Sequence, residues 1–480
     1  MLQLWSMRRF LVAALALACC HKSSEPPASQ EARRGDGDED DPWETPRRPK
    51  GPETPASRQK RAEAALARVA RIKPEVAKLR ALAFDREVPT KYQVAAEFQA
   101  FVHREIAKEL PPQRSRDLSD ALAHIGLLAK AVDLAQVEEQ AMTTQAGAYY
   151  DPAAKAFFLV MAPDSQLLLD TMSAHELTHA LQDQHFDLTK YLPSDGSIDE
   201  DAATARRFVG EGDATLVMLL YAMRGITGDQ ISPAVIASVR SQITAFAAMD
   251  ADALKKLSKT QAAALGGAGM DADIKKAIDA MDEIPPTVLV PLLASYMKGS
   301  LVALTAYEHG GWPSVDALYR DPPASTEQVL HPETKLFPVR ERPHHVTLAK
   351  TSDPELADNV LGELQWQIYF ELWKSPHAAE AAAGWGGDRY AVTRRKDGRL
   401  LGRIATVWDT PNDAEQFASA YLASLAVRFP NASTSAPAAG FARPDGGRVF
   451  LRTVGTQVFI VDGADDAGAL DALVRTTTFD

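Results

Sequence analysis

Ser173-Ala174-His175-Glu176-Leu177-Thr178-His179-Ala180-Leu181-Gln182 is the stretch on which the reading of this chain turns. His175 and His179 are four residues apart. On a helix that spacing places both imidazoles one turn apart on one face, where they can point at one metal ion. Glu176 sits beside them, within reach of a water held by such an ion. Ala174, Leu177 and Leu181 form an adjoining apolar stripe that docks the helix on a core. The residue types suit zinc. Two neutral imidazoles and a carboxylate leave Zn²⁺ with net positive charge and an open fourth position, where water becomes a usable nucleophile near pH ~7. Glu176 is then the catalytic base that takes the proton and later delivers it to a leaving amine. One zinc ion is the expected cofactor, with His175 and His179 as ligands.

Two residues compete for the third ligand position. His185 lies ten residues after His175, the spacing of the longer pattern HExxHxxGxxH. Gln182 stands where that pattern has its glycine, and glycine is what ends the helix abruptly and turns the third His back. In a continuing helix His185 points about 100° away from the shared His175–His179 direction. The rival is Glu211 in Val209-Gly210-Glu211-Gly212-Asp213-Ala214, at the start of the apolar part of the next long helix. Two glycines in a helical pattern each cost about 1 kcal/mol relative to alanine. Their recurrence implies a reason: small neighbours would let this helix press close to the motif helix, so that a carboxylate reaches the metal. Glu211 is the favoured ligand. Asp213 is either a residue that orients a ligand imidazole or a solvent-facing carboxylate.

Working outward, Ala146–Tyr150 and Ala156–Val160 flank Asp151-Pro152-Ala153-Ala154-Lys155, a hairpin signal. Asp164 or Ser165 caps the motif helix, expected over residues 165–184. Further helices are expected at 58–82, with a break at Pro74, and at 94–110, 117–132, 201–223, 233–280 and 289–307. A loop-rich stretch follows from Gly310 to His345. From about Pro354 the pattern is that of a separate small α+β unit. It has helices at 356–373 and 413–427 and strand pairs 390–393 with 400–407 and 449–453 with 457–461. Its turn-rich segment Gly384-Trp385-Gly386-Gly387-Asp388-Arg389-Tyr390 holds no metal-ligand cluster.

The N-terminus reads as an export signal. Met7-Arg8-Arg9 is a positive n-region, and Phe10–Ala18 is a short apolar run. The run falls short of the about 20 residues that a membrane-spanning helix needs. Ala16-Leu17-Ala18-Cys19 or Leu17-Ala18-Cys19-Cys20 then resembles a bacterial lipobox, so Cys19 or Cys20 is the expected lipidation site. Residues 21–57 are rich in Pro, Glu, Asp and Ser and almost free of aliphatics, the composition of a disordered linker. Cys19 and Cys20 are the only cysteines, which leaves the folded part without disulfide or thiolate ligand. The expected division is signal 1–20, linker 21–57, catalytic domain 58–350 and C-terminal α+β domain 351–480. The 480 residues carry 52 Lys and Arg against 64 Asp and Glu, a net charge of −12, which gives no electrostatic reason to expect nucleic acid.

The segment 173–182 resembles the gluzincin metallopeptidases of the thermolysin-like kind, with HExxH on one helix and Glu on the next. The wider set is similar to bacterial zincin-like proteins: Gly147-Ala148-Tyr149-Tyr150-Asp151-Pro152, the HELTH helix, Glu211-Gly212-Asp213-Ala214, and Pro322-Pro323-Ala324-Ser325-Thr326-Glu327-Gln328-Val329-Leu330-His331-Pro332. It spans about residues 85–345. The resemblance implies an α+β fold: a mainly helical zincin-like domain with a small strand hairpin beside the HExxH helix, plus the small C-terminal domain. In such enzymes the strand ahead of the helix lines the substrate cleft, so Tyr149 and Tyr150 are cleft residues, or else an ordinary hairpin with a buried Tyr. A tetrahedral intermediate needs a donor besides the metal. His331 is the first candidate for that catalytic role, with Tyr296 and His309 behind it, while a surface His331 after a Ser325- or Thr326-capped helix is the alternative. The implied function is zinc-dependent hydrolysis of peptide bonds in protein or peptide substrates, in a lipid-anchored protein of the bacterial cell envelope. The competing reading is a degenerate zincin-fold lipoprotein with a non-catalytic binding or envelope-assembly role.

Overall fold

The computed structural model describes residues 54–143, 147–160, 166–227, 231–249, 253, 256, 281–430 and 440–480. The export signal, Cys19, Cys20, the caps Asp164 and Ser165, and nearly all of 248–280 lie outside the described residues. The fold is α+β.

In chain order the first half contains α1 (Pro55–Arg80), β1 (Thr90–Tyr92), α2 (Ala95–Glu109), α3 (Pro112–Ile125), α4 (Leu134–Thr143), β2 (Ala148–Asp151), β3 (Ala156–Leu159), α5 (Gln166–Phe186), α6 (Leu188–Tyr191), α7 (Glu200–Thr227) and α8 (Pro233–Ala247). Then come α9 (Pro286–Gly310), α10 (Trp312–Arg320) and α11 (Thr326–Leu330). Thr54 caps α1, its hydroxyl accepting the Ser57 N–H at 3.2 Å. Ala62, Ala65, Val69, Ile72, Val76 and Leu79 of α1 are buried at the 3–4 spacing of an amphipathic helix. The break expected at Pro74 is absent: the helix runs through it. Proline removes one helical hydrogen bond, and the burial of Ile72 and Val76 on either side holds the axis through the gap.

The motif helix α5 is buried continuously from Leu169 to Asp183. Helix α1, strand β2 and helix α7 pack around it, and α7 in turn packs on α9. Strand β2 pairs antiparallel with β3, as the hairpin pattern predicts. The three-residue β1 adds to the far side of β3 in parallel, giving the order β1-β3-β2. The stretch 310–345 is less loop-rich than its prolines imply. Pro313 sits in the first turn of α10, where its missing N–H costs nothing. Ser325 caps α11 by accepting the Gln328 N–H at 3.3 Å.

The C-terminal unit contains β4 (Val346–Thr347), β5 (Glu355–Asn359), α12 (Gly362–Leu372), α13 (Ala378–Ala382), β6 (Trp385–Arg394), β7 (Leu400–Trp408), α14 (Pro411–Arg428), β8 (Phe441–Ala442), β9 (Arg448–Val454), β10 (Gln457–Ala464), α15 (Gly468–Thr476) and β11 (Thr478–Phe479). Six strands form an antiparallel sheet in the order β5-β6-β7-β10-β9-β8. The helix expected at 356–373 begins only at Gly362. Residues 355–359 pair instead with β6, and Gly362 at φ 76° makes the corner that a side chain would block against Asp201. One core runs through both halves: Val69, Leu177 and Leu216 belong to the same buried cluster as Trp366, Val458 and Ile460. A smaller cluster around Val407, Phe459 and Leu470 lies under β4, β11 and α15.

Gly212 has a different use from the one expected. A methyl group there would overlap the Gly299 carbonyl of α9, and one on Gly299 would overlap the Phe208 carbonyl. The close approach is therefore α7 to α9. Alanine is favoured over glycine in a helix by about 1 kcal/mol, yet overpacking of this kind costs about 3 kcal/mol. Gly299→Ala is expected to destabilise the protein by about 2 kcal/mol, read as a lowered urea midpoint. A raised midpoint would show that the helices have room to spare.

Candidate metal centre

The three side chains favoured as ligands converge. His175 Nε2 and His179 Nε2 lie 3.1 Å apart. A Glu211 carboxylate oxygen, Oε2, lies 3.1 Å from His175 Nε2 and 3.5 Å from His179 Nε2. The α5 helix supplies both imidazoles from one face, and α7 crosses it with Glu211 on the facing turn. Ligands about 2.05 Å from a tetrahedral zinc sit roughly 3.3 Å from one another, so the triangle has the right edges for that ion. The donors, two imidazole nitrogens and one carboxylate, are those zinc takes. Among the described residues, His175 Nδ1 is buried without a hydrogen-bond partner.

Glu176 is buried next to them. Its Oε2 accepts the Tyr150 backbone N–H at 2.9 Å, which ties β2 to the motif helix. The Tyr150 hydroxyl donates to Asp183 at 2.6 Å, and Lys155 donates to the same carboxylate at 2.9 Å. Tyr149 turns to the other side. It donates to Gln93 at 2.8 Å and stacks on Phe158, so it is the ordinary buried tyrosine of the hairpin. Tyr150 is the one of the pair that adjoins Glu176.

His185 is placed away from the cluster. Helix α5 continues past Gln182 to Phe186, and His185 Nε2 meets the Ala83 carbonyl at 2.7 Å. Asp213 is fully buried. It accepts from Arg80 Nε at 2.7 Å, the Tyr319 hydroxyl at 2.9 Å and Gln182 Nε2 at 3.0 Å. Gln182 Oε1 lies 2.7 Å from His179 Nδ1. Asp213 therefore connects to the His179 imidazole through an intermediary, Gln182, that the sequence marks only as a missing glycine. A polar residue three after His179, and so on the same face of the helix, is the signal that marks Gln182.

Of the three residues considered as oxyanion donor, Tyr296 is the one beside the cluster. Its ring centroid lies 5.8 Å from that of His175, and it is wholly buried. His331, the first candidate, stands elsewhere: its Nε2 pairs with Glu363 Oε1 at 2.7 Å. His309 stacks on Phe337 and meets the Thr305 carbonyl. The motif around His331 joins the two halves of the protein. Thr326 donates to Asp201 of α7 at 2.5 Å and accepts the Leu364 N–H at 3.2 Å. The Glu363 bond raises the His331 pKa; burial and the Lys298 charge on α9 oppose it, and Glu327 on α11 assists. A pKa raised on folding stabilises below the unfolded value of about 6.5 and loses that contribution as pH rises through the folded value. The stability gap between wild type and His331→Ala should thus narrow from about pH 5.5 to about pH 8.5 in urea titrations. A gap that widens with pH would sink this assignment.

A second acidic group, Glu327, Glu341 and Asp409, has its centre filled by Lys335 Nζ, at 3.1, 2.8 and 2.6 Å from the three. Burial pushes the Glu327 carboxyl up to about 8, against the pull of Lys335. A cavity of about 1150 Å³ opens at the junction of the two halves, beside Asp199, Arg206, His344, Trp385 and Asp388. None of His175, Glu176, His179 and Glu211 lines it, so this cavity and the candidate ligand cluster are in different places.

No curated protein and no solved structure matches the chain. A family model described as a domain of unknown function, DUF8575, matches residues 350–474, the C-terminal unit.

Proposed function

We propose that this protein is a zinc-dependent peptidase of the gluzincin type, with His175, His179 and Glu211 as metal ligands and Glu176 as general base. The observation that carries the reading is the convergence of those three ligand atoms, with edges of 3.1, 3.1 and 3.5 Å, next to a buried carboxylate on the same helix. Zinc held there supplies a Lewis acid that makes water acidic enough to act as nucleophile near neutral pH. Glu176 accepts the proton of the attacking water and passes it to the leaving amine. Tyr296, whose ring lies beside that of His175, would serve as the donor to negative charge developing on the carbonyl oxygen. Lipidation at Cys19 or Cys20 would place the enzyme at a bacterial membrane. The test is the zinc content of the purified folded region, with casein cleavage measured before and after chelation and after zinc is returned. Metal-dependent cleavage supports the reading, and a metal-free, inert protein refutes it.

A second reading has its own support. His175, Glu176, His179 and Glu211 are each at most 3% exposed, and the Glu176 carboxylate is engaged by the Tyr150 N–H. A centre so enclosed also suits a structural zinc in a non-catalytic envelope protein. Stoichiometric zinc without cleavage, and loss of folding on chelation, is the outcome that favours it.

A further inference from the structure

We propose that Gln182 is the positioning residue of the metal centre. It holds His179 in a single tautomer and links that ligand to a buried charge network on three other helices. The inference rests on reading His175, His179 and Glu211 as metal ligands, but its first step does not need the metal.

The orientation of the Gln182 amide follows from its neighbours. One end lies 3.0 Å from the Gly210 carbonyl oxygen and 3.0 Å from Asp213 Oδ2. A backbone carbonyl can only accept, and so can an ionised carboxylate. The NH₂ group must face them. The amide oxygen then faces His179 Nδ1, at 2.7 Å. An oxygen that only accepts requires a proton on that nitrogen. Neutral His179 therefore carries its proton on Nδ1 and turns a bare Nε2 lone pair toward His175 and Glu211, the state a metal ligand needs.

The link continues beyond the amide. Asp213 receives Arg80 Nε and the Tyr319 hydroxyl, and Arg80 Nη2 reaches Asp316 at 2.6 Å. Arg80 also lies over the Trp312 ring, 4.6 Å from its centroid. The amide of Gln182 is thus held by α7, whose Asp213 is in turn held from α1 and α10. Among the described residues His175 has no such arrangement: its Nδ1 is buried and unpartnered there. The centre is asymmetric: one imidazole is aimed from behind and the other is not.

The test uses the full chain with two measurements. Nitrogen NMR of the histidine rings in metal-free wild type and Gln182→Met reads the His179 tautomer directly. Zinc affinity is then measured by competition with a chromophoric chelator for the same two proteins. The expected result is the Nδ1–H tautomer in wild type, and mixed tautomers with a loss of about 10- to 100-fold in zinc affinity in Q182M. An Nε2–H tautomer in the wild type overturns the proposal even if the variant fails to fold. So does Q182M binding zinc within about threefold of wild type. If the wild type shows the Nδ1–H tautomer but takes up no zinc, the metal reading fails and the positioning of His179 by Gln182 stands.

Discussion

Glu176→Gln is expected to keep zinc while lowering peptide hydrolysis by about a thousandfold or more. The amide has the shape of the carboxylate, and its oxygen can still accept the Tyr150 N–H that Glu176 accepts at 2.9 Å. The fold and the three ligands are therefore undisturbed. What is lost is the proton acceptor beside the water. Zinc content measured on the same preparation separates this from metal loss. Turnover close to wild type would mean that peptide hydrolysis, if present, happens elsewhere.

The second large effect concerns the ligand on α7. Glu211→Ala removes one of three converging donors and leaves two imidazoles 3.1 Å apart with no carboxylate to balance a cation. Loss of an outer-sphere partner already costs about 10- to 100-fold in metal affinity. Loss of the ligand itself should exceed about 100-fold, seen as zinc stripped by a mild chelator. His185→Ala breaks only the bond to the Ala83 carbonyl and should leave zinc binding unchanged. The reverse pattern, zinc lost in H185A and kept in E211A, would move the site to a metzincin-like arrangement.

Much of the cluster was legible in the chain, because the side chains that converge there obey local rules. A four-residue spacing on a helix aligns His175 with His179, and a missing glycine takes His185 out of contention. Glu211 was marked by its flanking glycines, although Gly212 serves the α9 crossing and not the approach to α5. What escaped reading depends on partners distant in sequence. Gln182 matters only because Gly210 and Asp213 meet it from another helix. Tyr296 and His331 are of equally suitable type, and only packing puts the first beside His175 and the second against Glu363. The same holds for strands. Residues 356–359 read as the start of a helix, but β6 offers a backbone edge there that the sequence does not display. The three-residue β1 is too short for any period to register.

His175, Glu176, His179 and Glu211 are all present once α7 has been made, yet α9, which packs along α7 and sets Tyr296 beside His175, follows much later and ends at Gly310. If the cluster binds zinc, tight capture should therefore wait until α9 is in place. Truncated chains ending before α9 would be protease-sensitive and hold zinc weakly, and tight retention by such a chain would refute this order.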